Sequence, residues 1–332
     1  MTRNNPNPKL AQLIRDSMEI REFEFEINDV VLSEDEQTAY IASNGSKLIF
    51  YSFETHEIKT YDIFQGAEDQ KQIQRENVNI ERILPFFFLE ILVLVDSIGN
   101  LHYFFYKSLE IHSIWRAKKL THVIKIEPSA LMLVDSKTVA IFSVKDEQIT
   151  DKKEQKELGF SGDIDEVVFD GEAFYFSVNH RLYCVAADLS KVLARIRLEE
   201  GHRFLPCIFP VNNDIGFIYF AVSEILPKTV VNSYTKNHKS DMMEDWITPP
   251  TLMTWLFPIT HAFSSPSENY FLVFSKGTVD FKIYERKNLV EVLTVENMLS
   301  SLPVAWGFLK KSSEVWVATK DKKLVRFWFP LT

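Results

Sequence analysis

Five ionisable residues lie near the starts of apolar, strand-like runs, where their side chains could do chemistry if the fold brought them together. Carboxylates and imidazoles that converge on one place can hold a metal ion or polarise a substrate. The five residues are Asp29, Glu81, His122, Asp165 and His261. Polar residues at strand ends are also ordinary solvated positions. Since no further motif supports catalysis, we expect these five not to form an active site.

The common motifs of catalysis and cofactor binding are absent from the sequence. The 10 glycines form neither G-x-G-x-x-G nor the P-loop spacing, which removes the usual sequence signs of a nucleotide site. No G-x-S-x-G elbow occurs, and no two histidines are spaced by two or four residues. We therefore predict that the protein alone is not an enzyme, with no catalytic residues, no cofactor and no metal.

The strongest pattern in the chain is a repeat. Seven times, at intervals of about 40–50 residues, two apolar strands are followed by a polar turn, an aromatic-rich strand and a looser fourth strand, as in β-propeller blades. This predicts an all-β, seven-bladed β-propeller. Six blades are predicted at 28–63, 78–116, 120–157, 163–199, 204–256 and 259–296. The turns between second and third strands are predicted at Asn44-Gly45, Gly99-Asn100, Lys276-Gly277 and Asp321-Lys322.

The seventh predicted blade, at 303–329, contains only three strands. Residues 20–27 alternate apolar and charged side chains, as a half-exposed strand does. We expect this N-terminal strand, near 22–26, to pair with the strand near 324–329 and close the ring, which would remove an aggregation-prone sheet edge. Residues 1–18 are predicted to be a flexible segment ahead of a single propeller domain at 19–332.

Three segments interrupt the repeat, at 65–77, 145–162 and 226–250. The second is predicted to be a charge-rich outer strand with its connector. The third is predicted to be a long loop, and loops of that length are usually functional or disordered. Its Met242, Met243 and Trp246 could anchor a partner or pack against the fifth blade.

Composition limits the remaining possibilities. The formal net charge of −9 disfavours direct, non-specific nucleic-acid binding and suits a basic protein partner. Cys184 and Cys207 lie in apolar runs and are predicted to be free thiols. The N-terminus lacks a signal-peptide core, and no apolar run reaches the ~20 residues that span a membrane. These features predict an intracellular protein, nuclear or cytoplasmic, that does not bind a membrane.

The blades resemble a degenerate WD-repeat propeller, because Gly201-His202 precedes a predicted inner strand as the Gly-His pair of that family does. No strand ends in Trp-Asp. The chain also resembles the non-catalytic WD-repeat subunit of the tRNA (guanine-N7) methyltransferase. The similar stretches are 42–51, 93–104, 271–279, 303–308 and 314–319.

This second resemblance implies a division of labour. The chain would be a scaffold that holds a catalytic subunit in its active shape for N7-methylguanosine formation in tRNA. The catalytic subunit would supply the S-adenosylmethionine pocket and most of the basic RNA surface. The scaffold would then contact tRNA only indirectly or weakly, within a hetero-oligomer.

The resemblance also implies a partner-binding site. In that family, a charged cluster on the turn between the second and third strands of a middle blade faces the catalytic subunit. The matching stretch here is 177–182, where Arg181 keeps a cationic side chain. Arg181 and the neighbouring His180 are therefore the predicted partner-binding residues. A solvated hairpin arginine would look the same in sequence.

Two other functions fit the sequence. One is a general WD-type scaffold in another assembly, such as a nuclear-pore or ubiquitin-ligase adaptor. The other is a propeller hydrolase with a metal in its channel. Affinity purification separates the three, because it should return a tRNA methyltransferase, the subunits of another assembly, or no stoichiometric partner.

Overall fold

A computed structural model shows how the chain folds. It describes residues 8–63, 78–114, 120–126, 130–135, 137–145, 148–211, 216–235, 251–265, 267–275, 280–296, 298–309 and 312–329. Within these ranges one helix, α1 (Pro8–Asp16), precedes seven four-stranded antiparallel sheets. The predicted seven-bladed β-propeller is confirmed.

The first four blades follow one another along the chain. Blade 1 contains β2 (Ile27–Leu32), β3 (Thr38–Ser43), β4 (Lys47–Ser52) and β5 (Ile58–Asp62). Blade 2 contains β6 (Ile80–Phe86), β7 (Ile91–Asp96), β8 (Leu101–Phe105) and β9 (Glu110–Ile114). Blade 3 contains β10 (His122–Ile126), β11 (Ala130–Asp135), β12 (Thr138–Lys145) and β13 (Gln148–Glu157). Blade 4 contains β14 (Glu166–Phe169), β15 (Ala173–Val178), β16 (Arg181–Ala186) and β17 (Val192–Arg197).

The last three blades include the one that joins the chain ends. Blade 5 contains β18 (His202–Val211), β19 (Gly216–Ser223), β20 (Thr229–Thr235) and β21 (Thr251–Trp255). Blade 6 contains β22 (Ile259–Ser264), β23 (Tyr270–Ser275), β24 (Phe281–Glu285) and β25 (Glu291–Val295). Blade 7 contains β26 (Pro303–Leu309), β27 (Glu314–Thr319), β28 (Lys323–Trp328) and, from the N-terminal end, β1 (Glu19–Glu22).

Neighbouring blades bury each other's faces. Every residue of β7 and of β15 is buried, because both sides of these central strands are covered. Seven hydrophobic clusters fill the seven spaces between blades. The cluster that joins Ile41 of blade 1 to Trp316 of blade 7 completes the circle.

The N-terminal strand closes the ring, as predicted, but at a different position. β1 pairs antiparallel with β28, from Glu19 opposite Arg326 to Glu22 opposite Lys323. The strand predicted near 22–26 therefore ends where it was expected to begin. The ladder ends at Glu22 because β28 begins at Lys323, and the amide of Phe23 still donates to the carbonyl of Lys322 at 2.9 Å. The ring of Phe23 then enters the cluster between blades 7 and 1, where it lies 4.9 Å from the ring of Phe25.

The prediction of a flexible segment at 1–18 is wrong for residues 8–18. Ala11 and Ile14 are three residues apart on one face of α1, and both are buried against blades 6 and 7. The guanidinium of Arg15 donates to the carbonyl of Glu296 at 3.0 Å. This helix was not predicted from the sequence because most residues of the segment are polar. Residues 1–7 lie outside the described part of the chain.

Two of the interrupting segments include blade strands. Residues 148–157 form the outer strand β13, in line with the prediction. Residues 229–235, predicted to be loop, form β20, the third strand of blade 5. Residues 65–77 and the rest of the predicted loop, with Met242, Met243 and Trp246, lie outside the described residues. No helix among the described residues is long and apolar enough to cross a membrane.

Candidate partner-binding rim

The alternation of antiparallel strands places the turns on two opposite rims of the ring. The front rim carries the turns between second and third strands, at 44–46, 97–100, 179–180, 224–228 and 320–322, together with the linkers between blades. The back rim carries the turns between first and second and between third and fourth strands. A partner that binds one rim therefore leaves the other open.

The structure does not bring the five ionisable residues of the inner strands together. Asp29 connects two blades, because its carboxylate accepts hydrogen bonds from the amide of Val30 at 2.9 Å and from the amide of Ile83, in blade 2, at 2.8 Å. His122 lies 3.7 Å from the carboxylate of Glu166 in blade 4.

The other three have separate neighbours. Asp165 accepts a hydrogen bond from the amide of Asn179 at 3.0 Å. His261 packs edge-on against Trp306, with ring centroids 4.3 Å apart, and burial lowers its pKa to about 4. Glu81 is exposed beside a cleft between blades 1, 2 and 7. No group of three or more residues able to hold a metal occurs in the described part of the chain.

That cleft has a volume of about 350 Å³. Two of its amide side chains are held by the main chain. Asn28 donates to the carbonyl of Ile80 at 2.8 Å, and Asn79 accepts from the amide of Gly45 at 2.8 Å. These hydrogen bonds join blade 1 to blade 2. A structural role therefore explains why asparagines occupy these two positions.

Asp29 gives the first testable prediction. Burial raises its pKa to about 6, although the hydrogen bond from Ile83 and the charge of Arg82 oppose the rise. Because the folded-state pKa exceeds the unfolded one, this carboxyl favours folding most below pH 4, and that contribution is lost as the pH rises through 6. Between pH 4 and 7, the free energy of unfolding of the wild type should fall by about 2 kcal/mol relative to that of Asp29→Asn, measured by urea unfolding.

The comparison with Asp29→Asn isolates this group, since His261 titrates in both proteins. Burial lowers the pKa of His261, so its contribution falls as the pH drops from 6.5 towards 4, the opposite direction. If the free energy of unfolding depends on pH in the same way in wild type and Asp29→Asn, the pKa of Asp29 is not raised by folding.

The predicted partner-binding residues lie on the front rim of blade 4. Asn179 and His180 form the turn from β15 to β16, with φ values of 47° and 59°. His180 is exposed, and its Nδ1 lies 2.8 Å from the carbonyl oxygen of His202, which starts blade 5. Arg181 is partly exposed and donates to the hydroxyl of Ser161 at 3.0 Å. Only the Nε2 edge of the His180 ring can therefore reach a partner.

Three exposed apolar side chains lie next along the same rim, on blade 5. Ile225 is 81% exposed, Leu226 is 55% exposed and Leu256 is 87% exposed. The amide of Glu224 donates to the carbonyl of Gly201 at 2.7 Å, which fixes the turn beside the linker from blade 4. Gly201 has a φ of 70°, a left-handed conformation that favours glycine, and a Cβ there would lie 3.1 Å from Cδ1 of Ile225.

We call Arg181, His180, Ile225, Leu226 and Leu256 the blade 4–5 patch. Sequence reasoning found its polar half and missed its apolar half. The available signal was the apolar pair Ile225-Leu226, but this pair lies at the start of the predicted loop 226–250. Leu256, which follows the buried Trp255, carried no signal, because an apolar residue at a strand end is usually buried.

Comparisons with known proteins agree on the architecture. A chain of the mitotic checkpoint complex crystal structure matches with a TM-score of 0.67 and 8% identity, over 93% of this chain and 93% of that one. Raptor from Chaetomium thermophilum matches with a TM-score of 0.65 and 12% identity, over 93% of this chain and 28% of Raptor. No protein-family model and no curated protein matches the sequence. The structural likeness shows the fold: the chain is a seven-bladed, WD40-like β-propeller.

Proposed function

We propose that this chain is a non-catalytic scaffold that binds a protein partner through the blade 4–5 patch. The observation that carries the proposal is the exposure of Ile225 and Leu256, each above 80%, beside Arg181 on one rim. Large apolar side chains with an arginine at their border have the composition of interaction sites between proteins.

The surrounding structure suits this role. The turn that carries Arg181 and the turn that carries Ile225 are both tied to the start of blade 5, through the carbonyls of His202 and Gly201. Because the backbone on both sides is fixed, a partner that covers the patch has little loop ordering to oppose binding. The ring thus supplies a rigid surface rather than a catalytic pocket.

For the partner itself, we propose the catalytic subunit of a tRNA (guanine-N7) methyltransferase. The sequence resemblance supports this identity, and Arg181 stands at the turn that the resemblance assigns to partner contact. The net charge of −9 supports it too, because the scaffold half of such a complex can leave phosphate binding to its partner. His180 would contribute through Nε2, with its Nδ1 edge held by blade 5.

The test begins with co-purification and mass spectrometry, which should return a tRNA methyltransferase in stoichiometric amount. In the reconstituted complex, Arg181→Glu should weaken partner binding at least tenfold and lower tRNA methylation, since reversing one charge at a desolvated contact costs several kcal/mol. Lys47→Glu is the matched control, because Lys47 starts the third strand of blade 1 as Arg181 starts that of blade 4. The control should bind normally.

The apolar half of the patch is tested in the same assay. Leu256→Ser should also weaken binding about tenfold, because an interface anchor is lost. Leu302→Ser, at another exposed position on the front rim, should have no effect. Recovery of a different assembly would replace the methyltransferase with a general adaptor role. Normal binding by both Arg181→Glu and Leu256→Ser would remove the patch from the proposal.

A further inference from the structure

A phenylalanine on the back rim of blade 2 is held out into solvent. Phe88 is 88% exposed and is the middle residue of a 3₁₀ turn, Phe87–Leu89, between β6 and β7. Its neighbours point inward, since Phe87 packs between blades 1 and 2 and Leu89 packs between blades 2 and 3. The amide of Glu90 closes the turn on the carbonyl of Phe87 at 3.0 Å. Phe88 is thus displayed by an anchored backbone.

A second apolar side chain is exposed on the adjacent turn. Leu109, between β8 and β9, is 47% exposed. The amide of Tyr106 donates to the carbonyl of Glu90 at 3.2 Å and joins the two turns. An ion pair between Lys107 and Glu90 connects them again. Phe88 and Leu109 therefore belong to one surface, on which Lys107 is already paired.

Carboxylates border this apolar surface on the side of blade 1. Glu34 and Asp35 are exposed in the turn from β2 to β3, and Glu54 and Glu57 are exposed in the turn from β4 to β5. Two lysines in this region already have partners: Lys59 lies 3.7 Å from Glu57, and Lys125 lies over the ring of Phe86, 5.2 Å from its centroid. In the described part of this rim, acidic side chains of blades 1 and 2 thus outnumber lysines.

The acidic turn of blade 1 lies close enough to act on blade 2. Burial is the largest cause that raises the pKa of Tyr106; the charge of Lys107 opposes the rise, and the carboxylates of Glu90, Glu34 and Asp35 add to it. The geometry agrees, because the ring of Tyr106 lies 5.7 Å from the ring of Tyr40 in blade 1.

We propose that Phe88, Leu109, Glu34 and Asp35, which we call the Phe88 patch, bind a basic segment of a second protein partner. In this segment, lysine or arginine side chains flank one apolar residue. The apolar residue covers Phe88 and Leu109, and the cations face the carboxylates of blade 1. Negative charge repels nucleic acids and anionic lipid surfaces, which leaves a basic protein segment as the occupant that fits.

The Phe88 patch and the blade 4–5 patch lie on opposite rims, so the ring can hold two partners at once. This inference does not depend on the proposed function. Loss of one site leaves the other intact, and their tests use separate variants.

The test is a selection of peptides from a random dodecamer display library on the full-length chain. Selected peptides should contain lysine or arginine around one apolar residue. Phe88→Ser should weaken their binding about tenfold, the usual size for an exposed aromatic anchor, and Glu34→Lys should weaken it severalfold. Binding should also fall as salt is raised. Both variants change exposed side chains and should fold normally.

Matched controls lie on the same rim. Val290→Ser removes an exposed apolar side chain from blade 6, and Glu172→Lys reverses an exposed carboxylate of blade 4. Neither should change peptide binding. The proposal is overturned if the selection yields no basic peptides or if Phe88→Ser binds them as wild type does. Self-association that disappears in Phe88→Ser would also overturn it, by showing that a second copy occupies the patch.

Discussion

Deleting residues 1–22 is expected to make the protein aggregate, or to abolish its cooperative unfolding. The deletion removes β1 and leaves the outer edge of β28 unpaired, and exposed strand edges pair with other molecules. It also removes α1, whose Ile14 is fully buried against blades 6 and 7. Thermal unfolding, with size-exclusion chromatography for the oligomeric state, measures both effects.

Two further variants separate the helix from the strand. Ile14→Ala keeps the ring closed and should lower the free energy of unfolding by about 2–5 kcal/mol, the usual cost of emptying a buried site of this size. Deleting only residues 1–7 keeps α1 and β1 and is the control. If the protein without residues 1–22 stays monomeric and melts like the full chain, β1 is not needed to close the ring.

Asp96→Ala is expected to cost about 3–5 kcal/mol of folding stability, because it leaves several buried donors unpaired. Asp96 is buried at the end of β7. One carboxylate oxygen accepts from the amides of Ile98 at 3.1 Å and Asn100 at 2.8 Å. The other accepts from Nδ2 of Asn100 at 3.1 Å and lies 3.0 Å from Nε2 of His102. Urea unfolding measures the loss.

Asp188→Ala is the control for this effect. Asp188 also supports a turn, where it accepts from the amide of Ser190 at 2.9 Å, but it is exposed. Water can replace its hydrogen bonds, so the substitution should cost about 1 kcal/mol or less. Equal losses in the two variants would mean that burial of the Asp96 cluster does not set its contribution.

Local sequence was enough to predict the blades because each is a short-range unit. The second predicted blade, 78–116, contains β6 to β9, from Ile80 to Ile114. At the turn of this blade Gly99 has a φ of 86°, which glycine adopts readily because it has no Cβ. Turn residues such as glycine and asparagine, and apolar runs, determine local structure over a few residues. Their pattern therefore predicts strands and turns without knowledge of the fold.

The sequence predicted that an N-terminal strand closes the ring, but it did not predict which residues form that strand. The alternation over 20–27 indicated a strand that could complete blade 7. The pairing ends at Glu22 because β28 begins at Lys323, and Phe23 then packs between blades 7 and 1, at a site that exists only when the ring is closed. The helix α1 was missed for the same reason, since Ile14 is apolar in any context and is buried only where blades 6 and 7 meet it.

The sequence by itself determined the repeat, the number of blades and the position of Arg181 at a blade turn. Tertiary structure decided which side chains are exposed and which come together. Leu256 is 87% exposed while the adjoining Trp255 is 4% exposed, although both are large and apolar. Burial depends on which blade face lies opposite each residue, and that neighbour is supplied by distant parts of the chain. Asp29 and Ile83, 54 residues apart, are bonded for the same reason.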